Sequence, residues 1–182
     1  MARLIKIITL ISVVLFAAAL ILYATKRIDL FLTLAITFGT IAYHFWIRLL
    51  IGFLFNCTMK NKADYRKGWY RLRSWEIKLY DALRVKKWKR LMPTYDNSLF
   101  DLSKHSLDEI AQAMCQSELV HETITIFSLV PILFSIWFGA FWVFFITSVL
   151  GALFDLMFVI MQRYNRPRII KIIDKTNKKN TY

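Results

Sequence analysis

Two ionisable residues of the chain have a spacing that suits acid–base chemistry. Glu118 and His121 stand three positions apart in the segment SELVH, and residues at i and i+3 project from one face of a helix. A neutral imidazole accepts a proton near physiological pH, and a carboxylate bonded to its second ring nitrogen fixes the tautomer. The pair therefore predicts a catalytic base, His121, that is oriented by Glu118.

The same Glu-x-x-His spacing also occurs in carboxylate-bridged metal sites. Such a site needs a second motif or further histidines, and the chain contains only His44, His105 and His121. The two cysteines, Cys57 and Cys115, have no Cys-x-x-Cys spacing. The sequence therefore predicts neither a metal site nor a cofactor, and it contains no phosphate-binding glycine loop or nucleophile elbow.

Three further ionisable residues lie inside apolar segments. His44 and Arg48 are four positions apart in one segment, and Asp155 lies in another. Charged groups inside a membrane span are costly and usually face the interior of the bundle. Alternatively, the helix ends soon after Trp46 and Arg48 reaches the interface. Because a lone buried carboxylate requires a partner, we expect Asp155 to meet Arg48 or His44.

Two basic segments could bind anions. The segment RVKKWKRLMP, residues 84–93, places five cations around Trp88, which favours a surface that lies on anionic lipid. The alternative is a site for the phosphate of an acyl carrier or an anionic lipid, with an aromatic ring beside it. The second segment, QRYNRPR at residues 162–168, contributes Arg163, Tyr164, Asn165, Arg166 and Arg168.

The composition indicates that these residues are positioned by membrane-spanning helices. The chain is 57% hydrophobic and 16% aromatic, with a net charge of +13 and a mean hydropathy of +0.44. This is too apolar for an ordinary soluble domain of its length. Cytoplasmic loops and anionic membrane lipids account for the positive charge, so nucleic acid is not a predicted partner.

The apolar segments predict four spans. Residues 7–25 are uncharged and long enough to cross a bilayer, and a second apolar segment runs from about residue 30 to 59. Because this second segment follows at once, an anchoring hairpin is expected rather than a cleaved signal peptide. The apolar run over residues 123–162 is about twice the hydrocarbon thickness, so it predicts two spans with a turn at Gly139 and with Pro131 inside the third.

The predicted fold is an all-α integral membrane protein with four transmembrane helices, arranged as two hairpins around a basic cytoplasmic or interfacial helical block. Its predicted parts are residues 1–59, 60–121, 122–162 and 163–182. The SLDE segment at residues 106–109 predicts a helix start, after a loop over Met92–Ser98. The positive charge places the block and both termini in the cytoplasm, in a multi-pass protein of the cell membrane.

Three segments resemble the glycosyl-4,4'-diaponeurosporenoate acyltransferase family, small membrane proteins that esterify the sugar of a glycosylated carotenoid. They are WEIKLYDALRVKKWKRLMP at residues 75–93, SELVH at 117–121 and QRYNRPR. The resemblance implies transfer of a fatty acyl group from acyl-CoA or an acyl carrier protein to a hydroxyl of a lipid-soluble glycosylated acceptor. On this hypothesis His121 and Glu118 are catalytic, and the substrate-binding residues are Glu76, Trp88, Arg163, Tyr164, Asn165, Arg166, Arg168, His44 and Arg48.

Two other classes of function compete with this hypothesis. A non-catalytic membrane protein that binds lipid or scaffolds a biosynthetic complex predicts that His121→Gln leaves function intact. A metal-dependent lipid oxidase predicts bound iron, which metal analysis of the purified protein would detect.

Overall fold

The computed structural model describes residues 2–93 and 97–179, and within these ranges the chain is helical, at 84% helix, with no strand. Four of the described helices are long and apolar enough to cross a membrane: Arg3–Lys26, Asp29–Met59, Leu107–Phe138 and Phe141–Lys179. The predicted all-α membrane fold is therefore confirmed. Large apolar side chains on the first helix are exposed, as in Leu10 at 66% and Ile21 at 64%, which suits contact with lipid tails.

The helices have the following bounds. They are α1 (Ala2–Lys26), α2 (Asp29–Met59), α3 (Ser74–Ala82), α4 (Val85–Trp88), α5 (Leu107–Phe127), α6 (Pro131–Phe138) and α7 (Phe141–Lys179). Short 3-10 helices cover Gly68–Tyr70, Lys89–Leu91 and Asn97–Phe100. Part of the loop predicted over Met92–Ser98 lies outside the described residues. The loop prediction is wrong for Asn97 and Ser98, because these two residues begin a 3-10 helix.

The chain forms two compact units. The first comprises Met1–Phe53 and Thr123–Asp155, and the second comprises Leu54–Glu122 and Leu156–Tyr182. His44 and Arg48 belong to the first unit, and the other predicted site residues belong to the second.

Two tight turns close the helical hairpins of the first unit. After α1, Arg27 adopts a φ of 54° and its N–H bonds the carbonyl of Tyr23 at 2.9 Å. After α6, Gly139 has a φ of 64° and its N–H bonds the carbonyl of Ser135 at 3.0 Å. Glycine adopts this left-handed conformation without a steric penalty. The predicted turn at Gly139 is confirmed.

Pro131 separates α5 from α6. The ring nitrogen of proline has no hydrogen, so residue 131 cannot donate to the carbonyl of Phe127 as a helix would require. That carbonyl instead accepts from the N–H of Val130 at 3.1 Å and from the hydroxyl of Tyr43 at 2.8 Å. A side chain of α2 thus compensates for the interruption, which is a condition for breaking a helix in a membrane.

Residues of α2 and α7 form a polar cluster in the first unit. The guanidinium of Arg48 donates to the carboxylate of Asp155 and to the carbonyls of His44 and Gly151, at 2.5 and 3.3 Å for the two carbonyls. Asp155 is only 1% exposed, and α2 continues well past Trp46 to its end at Met59. The predicted pairing of Arg48 with Asp155 is confirmed, and the alternative in which α2 ends early is wrong.

Gly151 provides the space that His44 needs in this cluster. A Cβ atom at position 151 would lie 3.3 Å from the Nδ1 atom of His44, closer than most side-chain contacts. Both ring nitrogens of His44 are buried and have no hydrogen-bond partner among the described residues. His44 is therefore held by packing, with its two polar atoms still able to bond.

The first prediction concerns topology. In a Cys57→Ser background, which removes the exposed native thiol, we expect an impermeant thiol reagent to label Ala140→Cys in intact cells. Thr58→Cys should react only after the cells are made permeable, because four spans with cytoplasmic termini place these two positions on opposite sides. Labelling of Ala140→Cys only after permeabilisation would contradict the arrangement.

The second prediction concerns the Arg48 and Asp155 pair. Asp155→Leu alone leaves a buried guanidinium without its counter-charge, so we expect the free energy of unfolding in detergent micelles to fall by about 3–5 kcal/mol. Combining it with Arg48→Met should recover most of that loss, since the double variant buries no charge. Denaturant titration would measure both variants. If the double variant were as unstable as the single one, the pair would not be the source of the loss.

Candidate active site

The second unit brings four of the predicted site residues into one ion-paired group. Glu76 lies on α3, Glu118 on α5, and Arg163 and Arg166 lie one turn apart on α7. We call these four residues the arginine–glutamate network. Because it contains two carboxylates and two guanidiniums, its formal charge is balanced, which is the condition under which buried charges are tolerated.

Glu76 is placed by the start of α3. One oxygen of its carboxylate accepts the backbone N–H of Arg73, the residue before the helix, at 2.6 Å. The other accepts the hydroxyl of Tyr80 at 3.1 Å, one turn later. Burial acts to raise the pKa of Glu76, but the hydrogen bonds from Arg163 and from the Arg73 backbone outweigh it and hold this pKa below its usual value. Burial and the neighbouring carboxylate raise the pKa of Tyr80 to about 12, so its phenol remains a donor.

Arg163 uses all of its donor capacity within the protein. Its guanidinium binds Glu76 in bidentate fashion, through Nε at 2.6 Å and Nη2 at 3.0 Å. Nη1 donates to Glu118 at 2.6 Å and to the carbonyl of Trp69 at 3.1 Å, and Nη2 also donates to the carbonyl of Arg71 at 3.2 Å. An arginine has five N–H donors in a fixed planar fork, and each of them has an acceptor here.

Arg166 and Glu118 form the fully buried part of the network, and both side chains are 0% exposed. Nη1 of Arg166 donates to Glu118, and Nη2 donates to the carbonyl of Tyr70 at 2.7 Å. The guanidinium carbon also lies 4.9 Å from the centre of the Tyr70 ring, in a cation–π contact. The segment over residues 69–71 is thereby attached to α7 through three backbone carbonyls.

The carboxylate of Glu118 faces Arg163 and Arg166, with one oxygen directed to each. The predicted hydrogen bond from the imidazole N–H of His121 to the carboxylate of Glu118 is therefore wrong. Its physical reason is that two adjacent guanidiniums on α7 attract a buried carboxylate more strongly than a neutral imidazole does. The start of α5 was predicted correctly, since Ser106 and Glu109 form the expected capping box at 3.2 and 2.8 Å.

His121 is half-buried on α5, and its ring stacks on Phe158 of α7. The ring centres are 4.4 Å apart and the planes are inclined by 8°. One position later on α5, Glu122 accepts the indole N–H of Trp69 at 3.2 Å. The stacking fixes the plane of the imidazole.

A second group of cations surrounds Tyr164. The ammonium of Lys89 lies 4.7 Å and the guanidinium carbon of Arg168 lies 4.5 Å from the centre of the Tyr164 ring. Lys89 also donates to the side-chain oxygen of Asn165, and Arg168 donates to the Tyr164 hydroxyl at 2.7 Å. We call these four residues the Tyr164 cluster. It joins the two basic segments that the sequence singled out.

The Tyr164 cluster carries an excess of positive charge. Burial lowers the pKa of Lys89, and the nearby positive charges of Arg168, Arg90 and Lys86 lower it further. A group of like charges of this kind is stabilised by an anion or by developing negative charge. Trp88 is half-exposed beside this group, and its indole N–H donates to the carbonyl of Leu83 at 3.1 Å.

Sequence reasoning missed several members of these groups. Tyr80 lies four residues after Glu76 on α3, so helical spacing could have identified it. Lys89 was noted only as part of a basic segment. The contributions of Trp69, Tyr70 and Arg71 to the network are made by backbone carbonyls, and the residue type gives no signal for these.

The fold and the site define a class: a four-span helical membrane protein with a buried arginine–glutamate network in its second unit. The chain belongs to the glycosyl-4,4'-diaponeurosporenoate acyltransferase family, whose model matches residues 66–175. The matched stretch includes the whole network, His121 and the Tyr164 cluster, and it confirms the resemblance seen in the sequence. Neither the curated proteins nor the solved structures gave a match to the chain.

The third prediction concerns the planar arrangement of the five N–H donors of Arg163. Arg163→Lys keeps the charge but offers only three donors at one point, so it cannot satisfy two carboxylates and two carbonyls. We expect the free energy of unfolding to fall by roughly 2–4 kcal/mol, because buried acceptors are left without donors. Thermal unfolding in detergent, followed by tryptophan fluorescence, would measure the change.

The matched control for this prediction is Arg168→Lys on the same helix. Arg168 is exposed, and a lysine there keeps a cation beside Tyr164, so its effect should stay within about 0.5 kcal/mol. Equal stability of the Arg163→Lys variant and the wild type would show that the network does not depend on the fork.

Proposed function

We propose that the protein is a membrane acyltransferase. It esterifies a sugar hydroxyl of a lipid-soluble acceptor with a fatty acyl group. The observation that carries the proposal is that the family match over residues 66–175 contains both the network and His121. The acyl donor is a thioester of coenzyme A or of an acyl carrier protein, and it reaches the site from the cytoplasm. The protein is a multi-pass protein of the cell membrane with both termini in the cytoplasm, which agrees with the distribution of lysine and arginine.

His121 is the proposed catalytic base. Its imidazole takes the proton from the acceptor hydroxyl while the hydroxyl oxygen attacks the carbonyl carbon of the thioester. The tetrahedral intermediate then collapses, the carbon–sulfur bond breaks, and the imidazolium returns the proton to the leaving thiolate. The stacking of the imidazole on Phe158 supports this role, because a base of fixed orientation holds the two reactants in register.

Glu76, Glu118, Arg163 and Arg166 act as positioning residues on this proposal. Glu118 is fully buried and precedes His121 by about one helical turn, so its bonds to α7 fix the rotation of α5. That rotation presents His121 to Phe158. A direct contact of Arg163 with substrate would require breaking bonds to two carboxylates, which is costly in a buried site.

The Tyr164 cluster and Trp88 are the proposed contacts for the polar parts of the substrates. Lys89 and Arg168 supply positive charge that no carboxylate among the described residues is seen to pair with. This charge would stabilise the oxyanion that forms when the thioester carbonyl is attacked. Asn165 and the Tyr164 hydroxyl add polar atoms that suit sugar hydroxyls.

His44 and Arg48 are the proposed substrate contacts in the first unit. The buried, unpaired ring nitrogens of His44 can bond a hydroxyl or carbonyl of an acceptor that lies within the membrane. The guanidinium of Arg48 is held in place by Asp155, so a polar group stays near His44.

One observation favours a second candidate, a non-catalytic lipid-binding or scaffold protein of a lipid or carotenoid pathway. The arginine–glutamate network satisfies its own charges, as a purely structural group would. This alternative assigns no reaction to His121, so a single substitution separates the two candidates.

The fourth prediction is that His121→Gln lowers acyl transfer by a factor of ~10² or more, because glutamine cannot accept the proton. Mass spectrometry of lipid extracts, after incubation of the purified protein with donor and acceptor, would measure the product. His105→Gln is the matched control, since His105 lies before α5 and, among the described residues, pairs with the exposed Glu109. We expect this control to keep wild-type activity.

Thermal unfolding should show that the His121→Gln variant keeps the stability of the wild type. If that folded variant transferred acyl groups at the wild-type rate, the base would be another residue or the scaffold alternative would hold. Glu118→Gln is unsuited to this test, since it leaves two buried guanidiniums with a single full counter-charge.

A further inference from the structure

We propose that a basic cleft in the second unit binds the nucleotide portion of the acyl donor, which makes that donor a coenzyme A thioester. The cleft lies between the segment over residues 65–72 and the face of α7 from Pro167 to Lys178. This inference rests on the proposed acyl transfer and specifies its donor. The cleft is distinct from the arginine–glutamate network and the Tyr164 cluster, although it adjoins the first.

The size of the cleft suits a small-molecule ligand. Its volume is about 640 Å³, within the range of roughly 300–1,000 Å³ that ligand sites usually occupy. Along α7, Lys171, Asp174, Lys175 and Lys178 follow one another at spacings of three, one and three positions, which places them on one face of the helix.

The charge of the cleft indicates a ligand with several negative groups. Five cations and one carboxylate line the cleft. The carboxylate belongs to Asp174, which already pairs with Arg66 at 2.7 Å. This pairing orients the guanidinium of Arg66, whose side chain remains 57% exposed. The remaining cations are Arg71, Lys171, Lys175 and Lys178. Cations at such a site form charge-assisted hydrogen bonds with phosphate oxygens.

Aromatic and apolar groups complete the lining. The hydroxyl of Tyr65 donates to Asp108 at 2.5 Å, which holds the half-exposed ring in place at the cleft. Leu72, Pro167 and Ile170 contribute apolar surface. Rings with a fixed position bind nucleobases by stacking, and this contribution is absent from a site that only needs to hold phosphate.

The arrangement of charges selects among donors. Coenzyme A carries a pyrophosphate and a separate 3′-phosphate next to a purine base, so it can engage cations on both walls of the cleft. A carrier-protein donor presents a single phosphodiester on its prosthetic arm, and a phospholipid headgroup presents one phosphate without a base. The five cations and the aromatic ring match the first of these better than the other two.

The network connects this cleft to the proposed chemistry. The carbonyls of Tyr70 and Arg71, which lie in the cleft wall, accept hydrogen bonds from Arg166 and Arg163. The same two arginines hold Glu118, about one helical turn before His121. A nucleotide in the cleft would therefore be anchored to the elements that position the proposed base.

The test measures binding of 3′,5′-ADP, the nucleotide part of coenzyme A, to the full-length protein in phosphatidylcholine nanodiscs by titration calorimetry. The variant Lys171→Gln with Lys175→Gln removes two cations from the cleft, and we expect its dissociation constant to rise by ~10-fold or more. Lys78→Gln with Lys104→Gln is the matched control. It removes the same charge from exposed positions outside the cleft lining and should bind the probe as the wild type does.

The inference is overturned if the wild-type protein does not bind 3′,5′-ADP or if the Lys171 and Lys175 variant binds it with unchanged affinity. A second arm compares binding of detergent-solubilised protein to vesicles with and without phosphatidylglycerol. Loss of the phosphatidylglycerol preference in this variant, with 3′,5′-ADP binding retained, would reassign the cleft to a lipid headgroup. Binding is measured without turnover, so an active His121→Gln variant would refute the proposed reaction and leave the binding result intact.

Discussion

The second unit depends on the guanidinium of Arg163. Its five donors reach a carboxylate on α3, a carboxylate on α5 and two carbonyls of the segment that precedes α3. Removing charges from water costs several kcal/mol per ion, and only good geometry with full hydrogen bonding repays it. The planar fork of arginine meets that requirement and the point charge of lysine does not. The polar elements of the second unit are therefore organised around one side chain of α7.

The first unit follows the same physical rule on a smaller scale. Arg48 holds Asp155 and two carbonyls, and both charges are compensated within the unit. Some hydroxyl groups inside the spans are satisfied locally, as when Thr9 and Ser12 donate to carbonyls one turn earlier at 2.8 Å. In both units the positions of the buried charged residues are set by the free-energy cost of leaving them unpaired. The exposed apolar side chains are suited to contact with lipid tails.

Features that depend on local sequence could be predicted, and so could one contact between helices, because a lone buried carboxylate requires a partner. The contacts of Glu118 could not be predicted. Hydropathy indicated the four spans, and the conformational freedom of glycine indicated the turn at Gly139. The cost of burying a lone carboxylate indicated that Asp155 has a charged partner. The sequence also nominated Glu118 but gave it the wrong partner. Spacing of i and i+3 shows that Glu118 and His121 share a face, yet it contains no information about the arginines that α7 presents to that face.

The hydrogen bond from Tyr43 to the carbonyl of Phe127 constrains the order in which substitutions at positions 43 and 131 can be tolerated in evolution. Pro131 is tolerated there because a hydroxyl on a different helix supplies a donor that the proline lacks. A descendant that replaces the proline regains an amide donor, and the phenol then becomes dispensable. One that first loses the phenol keeps a carbonyl bonded by Val130 alone. Positions 43 and 131 thus form a pair in which the order of substitutions determines whether each intermediate is stable.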